Sequence, residues 1–235
     1  MKLLVLILGA RSGQYNDIVN NSLKTWAKSN NPNITVYPYY GNHNKTEIIN
    51  NELLINTADN NITLKTVEAY DYAVKNLEFD YLIRFGASIF GRLDKVYEHF
   101  LNTSRKNYHG GYKLNHAGIT YSSGMYVSYS RDIVEKIAKD KAIINDNQWA
   151  DDWVIGKYLQ NIGCTLTETF EYYSLIGEWP EIELINKMFK TPKEELEKYT
   201  YFRCKTEILN KDKILPLAKR NDILKMNFLF KTFYS

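Results

Sequence analysis

Cysteine is nearly missing: Cys164 and Cys204 are the only two in 235 residues. Two thiols cannot build a disulfide framework, and without added histidines they cannot build a structural zinc site, so a reducing compartment, the cytoplasm, is the expectation. A strong charge of one sign is missing too. The formal net charge is +3 with a pI near 8.6, Lys and Glu are interspersed, and no basic block marks a nucleic-acid partner. Nor does any apolar run approach the ~20 residues that a bilayer span needs. The run at the amino end, Leu3 to Leu8, has one charge before it and no small-x-small cleavage site after it, so it reads as a buried strand and not as a leader. No internal repeat, low-complexity tract or dividing linker occurs.

What is present, 44% hydrophobic and 24% charged residues, can bury a full core in one large α/β domain. LLVLIL, ending at Gly9, has the continuous apolar character of a central parallel strand. Ile18, Val19, Leu23 and Trp26 recur at helical spacing over 16–29, and ITVYPYYG (34–41) then reads as a second strand, completing a β-α-β unit. A helix is expected over 62–77, with Leu64, Val67, Tyr70, Val74 and Leu77 on one face, and a strand over 79–85. RLDKVYEHFL predicts a helix, GMYVSYS a strand and RDIVEKIAK a further helix. Such alternation predicts an α/β fold with a mostly parallel sheet. Ligands on such sheets sit beyond the carboxyl ends of the strands, which singles out Gly9 to Tyr15, Phe85 to Ser88 and the loop before Asp151.

The pattern changes near residue 175. Beyond it, TPKEELEKY predicts a helix with Thr191 as N-cap, Pro192 first and Glu194 third. YFRCKTE predicts a short strand or loop, and KRNDILKMNFLFKTF a terminal helix with Ile223, Met226, Phe230 and Phe233 on one side. The expected organisation is a core over 1–175 and an extension over 176–235 packed on the same domain.

QWADDWVIGKYLQNIGC (148–164) places Asp151 and Asp152 directly before an amphipathic helix. An aspartate there caps free N–H groups and is worth ~0.5 to 2 kcal/mol, which accounts for one of the pair. The second has a chemical reading, as a general base. His116 is either an acceptor contact or an exposed loop residue. Trp149, Trp153 and Trp179 have aromatic faces that match a sugar ring, Trp179 in its GEWPE loop the better platform and Trp153 the better core residue. The Gly9 to Gly13 segment lacks the third glycine and the acidic partner of a dinucleotide fingerprint.

Four motifs occur in order. NSLKTWAKSNNPNITVYPYYG is similar to an Arg/Lys-x-Thr-Trp helix followed by a strand ending in Gly, and NNITLKTVEAYDYAVKNLEFDYLIRFGAS to an Asn-Leu-Thr-x-Lys-Thr helix with its following strand. Ser123 and Gly124 in YSSGMYVSYS match a Ser-Gly strand, and Asp151, Asp152 and Gly156 match a Glu/Asp-Asp-Val-x-x-Gly helix. Together they resemble the fringe and β-1,3-glycosyltransferase family over residues 3–165. The resemblance implies a GT-A fold, a Rossmann-like nucleotide-sugar-binding α/β sandwich, here with a C-terminal helical extension, and transfer of a sugar with inversion. It maps the general base to Asp152, leaving Asp151 as cap and orienter or as an acceptor contact, and the strand it matches holds Ser123 and Gly124; with His116 and Trp179 from their own residue types, these are the expected acceptor contacts. The family's Asp-x-Asp metal site would follow the strand at 79–85, yet Phe85, Gly86 and Ala87 stand there, with no carboxylate until Asp94. The distal histidine that completes such sites has no counterpart: His43, His99, His109 and His116 all precede Asp152.

Without Mn²⁺ or Mg²⁺, the leaving diphosphate needs cationic side chains and N–H donors. Arg11, Lys65, Arg84, Arg203 and Lys205 are the candidates, and Gly9, Ala10, Tyr15, Phe85, Gly86 and Ala87 complete the expected donor surface. YFRCKTE and KRNDILKMNFLF also resemble the Phe-Arg-x-Lys and Arg-x-x-Asp-Ile-x-x-Met ends of glycosyltransferase-like proteins of large DNA viruses, which would make the compartment a host cytoplasm. The expectation is therefore a metal-independent inverting glycosyltransferase of glycan biosynthesis. Its partners would be a nucleotide-sugar donor, a UDP-sugar first, and a carbohydrate acceptor, with no resident cofactor. The alternatives are a catalytically inactive glycan- or nucleotide-binding relative, which has no need of Asp152, and a nucleotidyltransferase, which would need a metal-binding carboxylate pair near the strand ends.

Overall fold

A computed structural model describes residues 1–144, 150–168, 172–178, 181–207 and 221–234. The chain opens with β1 (Leu3–Leu8), α1 (Gln14–Lys24), β2 (Ile34–Tyr40), β3 (Glu47–Ile49), β4 (Glu52–Leu54) and α2 (Ile62–Asn76). It continues through β5 (Tyr81–Phe85), β6 (Ile89–Gly91), α3 (Leu93–Leu101), β7 (His109–His116), β8 (Ile119–Ser130), α4 (Arg131–Lys139), α5 (Lys141–Ile144) and α6 (Asp151–Asn161). The last part adds β9 (Thr167–Glu168), β10 (Tyr172–Ser174), β11 (Gly177–Glu178), α7 (Ile182–Lys190), α8 (Lys193–Leu196), β12 (Tyr201–Arg203), β13 (Thr206–Glu207) and α9 (Asp222–Tyr234).

The main sheet has eight strands in the order β3-β4-β2-β1-β5-β8-β7-β9. β1 runs parallel to both β2 and β5, with Leu3 opposite Ile34 on one side and Tyr81 on the other. Its apolar run follows from this central place, because each face feeds a different core. Leu3, Val5 and Ile7 pack with α1, α3, α9 and Tyr201 and Phe202 of β12. Leu4 and Leu6 pack with residues of α2, α4, α5 and α6. The expected parallel order holds for β4-β2-β1-β5, but β8 runs antiparallel to both β5 and β7, so the sheet is mixed. The strand expected at 124–130 is longer, beginning at Ile119 as the second arm of a hairpin whose tip is Ala117 and Gly118, both at positive φ.

Residues beyond 175 are woven into the same core. β12 lies between β10 and β6, parallel to the first and antiparallel to the second, while Met226 and Leu229 of α9 are fully buried against the sheet. The expected Thr191 cap is displaced by one residue: Pro192 is the N-cap of the single-turn α8, and the Thr191 hydroxyl donates to the Lys187 carbonyl (2.9 Å), closing α7 instead. Among the described residues no helix is long and apolar enough to cross a membrane.

Candidate active site

β1 and β2 end at a cavity of about 700 Å³ lined by Leu8, Gly9, Ala10, Ser12, Tyr15 and Asn42, by Asp59, Asn60, Ile62 and Lys65, and by Ala87 beyond β5. This is where ligands settle on open α/β sheets. Its floor requires glycine: a Cβ on Gly9 would lie 2.3 Å from the Tyr40 ring, and one on Gly41 would lie 2.6 Å from the Asp59 backbone. α1 begins at the cavity rim with Gly13 as N-cap and no side-chain cap bond.

Lys65 is 1% exposed. Its Nζ donates to the Gly9 carbonyl (2.9 Å), the Asp59 carbonyl (2.8 Å) and Asp59 Oδ1 (2.7 Å), so all three protons hold the rim together. Asp59 also accepts from Gly41 N (2.9 Å) and Arg11 N (3.1 Å). Burial alone would raise the Asp59 pKa, but Lys65 and the two backbone donors outweigh it and hold the carboxyl below its ordinary value. Burial lowers Lys65, an effect that Asp59 only partly offsets. Asp59 is one of the residues that the sequence did not single out, with Tyr39 and Thr66. Arg11 lies with its guanidinium 3.8 Å over the Tyr40 ring and paired with Glu52, and that hydrogen bond leads the causes that raise its pKa.

The acidic pair does not line this cavity but is joined to its wall through Thr66, next to Lys65, and through Gly124 and Gly86, next to Ala87. Ala150 is the N-cap of α6, without a side-chain bond, so Asp151 and Asp152 are its first two helical residues and neither caps it. The expected capping role of Asp151 is thereby corrected: its carboxylate points back into the sheet, accepting from Arg84 Nη2 (2.6 Å) and Thr66 Oγ1 (3.1 Å). Arg84, 2% exposed, also donates from Nε to the Tyr39 hydroxyl (3.2 Å) and from Nη1 to the Gly124 carbonyl. Burial opposes its charge, yet Asp151 and the neighbouring tyrosines outweigh that and raise its pKa. Arg84 therefore lies beneath the pair, away from the donor surface expected of it. Phe85 is likewise a core side chain, against Trp26, Tyr126 and Tyr201.

Asp152 is half-buried, its Oδ2 accepting from Gly124 N (2.6 Å) and its Oδ1 from Trp153 N (2.8 Å). Burial first, then the Asp151 charge, raise its pKa, against the pull of these N–H groups and Arg84. A Cβ on Gly124 would lie 2.9 Å from Arg84 Nη1 and 3.0 Å from Asp152 Oδ2, which is why glycine stands there. Gly124 faces Gly86, whose N–H donates to Met125 (2.9 Å), and Gly86 adjoins cavity-lining Ala87. Ser123 is buried next to them. His116 is exposed at the tip of the β7–β8 hairpin, where its carbonyl accepts from Trp153 Nε1 (3.3 Å) and so fixes the tip against α6. Trp153 is 8% exposed, in the core. Trp149 and Trp179 lie outside the described residues.

Arg203 and Lys205 are not among the residues that line the cavity, and only the backbone of 203–204 reaches the segment after β5. Arg203 pairs with Ile89, and Cys204 N donates to the Ser88 carbonyl (2.9 Å), one residue beyond Ala87. The same segment rests on a buried polar group: Asp222 accepts from Ser88 Oγ (2.7 Å) and Thr206 N (3.1 Å), and fully buried Lys225 pairs with Glu181. A divalent cation does not fit the Asp-x-Asp position, because Phe85, Gly86 and Ala87 offer no side-chain donor and no group of three His, Cys, Asp or Glu converges among the described residues.

No protein-family model matches the chain, and no curated protein matches it in sequence. Solved structures do resemble it. A glycosyltransferase involved in the glycosylation of the major capsid of PBCV-1 superposes with a TM-score of 0.53 at 8% identity, over 96% of this chain and 100% of that one. The glycosyltransferase GlyE of Streptococcus pneumoniae TIGR4 superposes with a TM-score of 0.50 at 10% identity, over 98% of this chain and 64% of that one. The chain thus spans just under two thirds of GlyE. At these identities the likeness is one of fold: a mixed α/β sandwich shared with glycosyltransferases.

Proposed function

We propose that the chain is an inverting glycosyltransferase that moves a sugar from a nucleotide-sugar donor to a glycan hydroxyl without a divalent metal. The observation that carries this reading is Asp152, a half-buried carboxylate of raised pKa joined through Gly124 and Gly86 to the wall of the cavity at the ends of β1 and β2, on a fold shared with glycosyltransferases. In the reaction, the acceptor oxygen attacks the anomeric carbon as the bond to the diphosphate oxygen breaks. The hydroxyl proton passes to Asp152, and the nucleoside diphosphate leaves with the bonding pair. A carboxylate of raised proton affinity is the stronger base for that step. Asp151, engaged with Arg84 and Thr66, is not available for it.

The donor would lie in the cavity with its phosphates toward the start of α1, which has no side-chain cap, and the Arg203 and Lys205 side chains would be the sources of positive charge in place of a cation. Lys65 shapes the pocket: its protons are committed to Gly9 and Asp59. The test begins with thermal shifts against a panel of nucleotide sugars, where a ligand at 100 times its Kd stabilises by about 2.7 kcal/mol. Transfer of the stabilising sugar should then persist in EDTA and fall by about 10²- to 10⁴-fold in Asp152→Asn, with donor affinity kept. The Asn amide can accept from only one of Gly124 N and Trp153 N, so this variant should also lose about 1 to 3 kcal/mol of stability. Unchanged turnover in Asp152→Asn would refute the assignment, and metal-rescuable loss in EDTA would refute the metal-free step.

A further inference from the structure

Four side chains from four elements close a ring under the acidic pair. Arg84 on β5 donates to Tyr39 on β2 (3.2 Å), and Asp151 on α6 accepts from both Arg84 (2.6 Å) and Thr66 on α2 (3.1 Å). The Thr66 proton is directed at Asp151, so the remaining link, Tyr39 to Thr66 (3.0 Å), has the tyrosine as donor. Every link then has one direction. Arg84, Tyr39, Thr66 and Asp151 are 2%, 0%, 0% and 7% exposed. Stability alone does not explain such a set, since apolar residues of similar volume commonly hold a core as well as a buried ion pair does, or better.

The ring has an outlet toward Asp152. The remaining Arg84 nitrogen donates to the Gly124 carbonyl, and the N–H of the same residue donates to Asp152 Oδ2 (2.6 Å). We propose, resting on the glycosyltransferase reading, that Arg84, Asp151, Thr66 and Tyr39 are positioning residues that act through Gly124 and through charge to orient Asp152 and set how strongly it takes up a proton. Two opposed charges reach Asp152 from the ring: Asp151 favours its protonated form, and Arg84 its ionised form. The other titratable groups around it are Tyr121 and Tyr129 on β8, with Tyr70 and Lys65 on α2 acting one layer further out on Arg84 and Asp151.

The experiment is a ¹³C-carboxyl titration of Asp152 in the full chain by NMR, with the pH profile of transfer beside it. Asp151→Asn removes the repelling charge, so the Asp152 midpoint should move down by about half a pH unit or more, and the acidic limb of the profile with it. Thr66→Val, nearly isosteric and uncharged, leaves Asp151 less neutralised, so the midpoint should move up, with kcat changed more than the donor KM. If Asp151→Asn fails to fold, Thr66→Val decides. An unmoved midpoint in a folded variant, or displacement of both variants in the same direction, overturns the proposal. The two readings fail separately: a wild-type chain that turns over no nucleotide sugar ends the enzymatic reading, while the titration still reports on the ring.

Discussion

Lys65 is buried in the cavity wall, and its ammonium is neutralised by Asp59, itself 10% exposed. Removing one partner of such a pair leaves a buried charge uncompensated, which costs about 3 to 5 kcal/mol, whereas replacing both with apolar residues is far milder. Lys65→Met should therefore destabilise by that amount in urea unfolding, and Lys65→Met/Asp59→Leu should recover most of it. Nucleotide-sugar binding should be lost in both, because the Gly9 and Asp59 loops no longer share a cation. Retained donor binding in the double variant would show that the rim does not need this tie. The residues of this site were unevenly legible in the sequence. Asp152, Gly124 and Gly156 stood out because their spacing along one strand and one helix is local. Tyr39 and Thr66 did not, because each takes its role from partners far along the chain that only the fold brings near; Asp59 did not either, because although Lys65 is only six residues on, its bonds from Gly41 N and Arg11 N join separate loops.

The elements that carry these residues were legible in proportion to their length and periodicity. RDIVEKIAK forms a helix over the expected nine residues, and the expected 62–77 helix is observed as Ile62–Asn76. β3 and β4 were missed because each is three residues long, too short for a period-two signal. Their turn did leave a trace: Asn50 and Asn51 both adopt positive φ (51° and 62°), the requirement of a tight hairpin, and Asn tolerates that conformation better than most residues. α6 was recognised, and its packing on β8 explains Gly156: a Cβ there would lie 2.2 Å from the Tyr121 Cβ. Gly156→Ala must push α6 outward and carry Asp152 away from Gly124. It should cost about 1 to 3 kcal/mol in chemical denaturation and reduce transfer, despite lying outside the cavity. Unchanged activity would show that the seat of Asp152 does not depend on the contact of α6 with β8.

At the scale of the whole molecule, the sheet face bearing α2, α4 and α6 carries both the buried Arg84–Asp151 pair and, further along the sheet, a buried histidine against Tyr129. His109, at the start of β7, is 2% exposed, packs its ring 5.2 Å from Tyr129, and is lowered by burial from 6.5 to about 4. Because the unfolded chain takes up this proton at higher pH than the folded one, stability is full above about pH 6.5 and falls as the pH drops toward 4. Asp152 has the opposite sign: its raised pKa means that the folded chain takes up a proton first, so acid relieves a cost there. Asp59, lowered by Lys65, sides with His109, but only once the pH enters the carboxylate range. The window just below neutrality therefore belongs to the histidines, His109 and also His99, which burial likewise lowers. Urea unfolding at about pH 7.5 and about pH 5 should show the wild type losing roughly 2 kcal/mol from His109 across that interval. His109→Phe, which keeps a ring against Tyr129 and has no proton to gain, should lose correspondingly less. Equal losses in the two proteins would mean that His109 is not what makes the fold acid-labile.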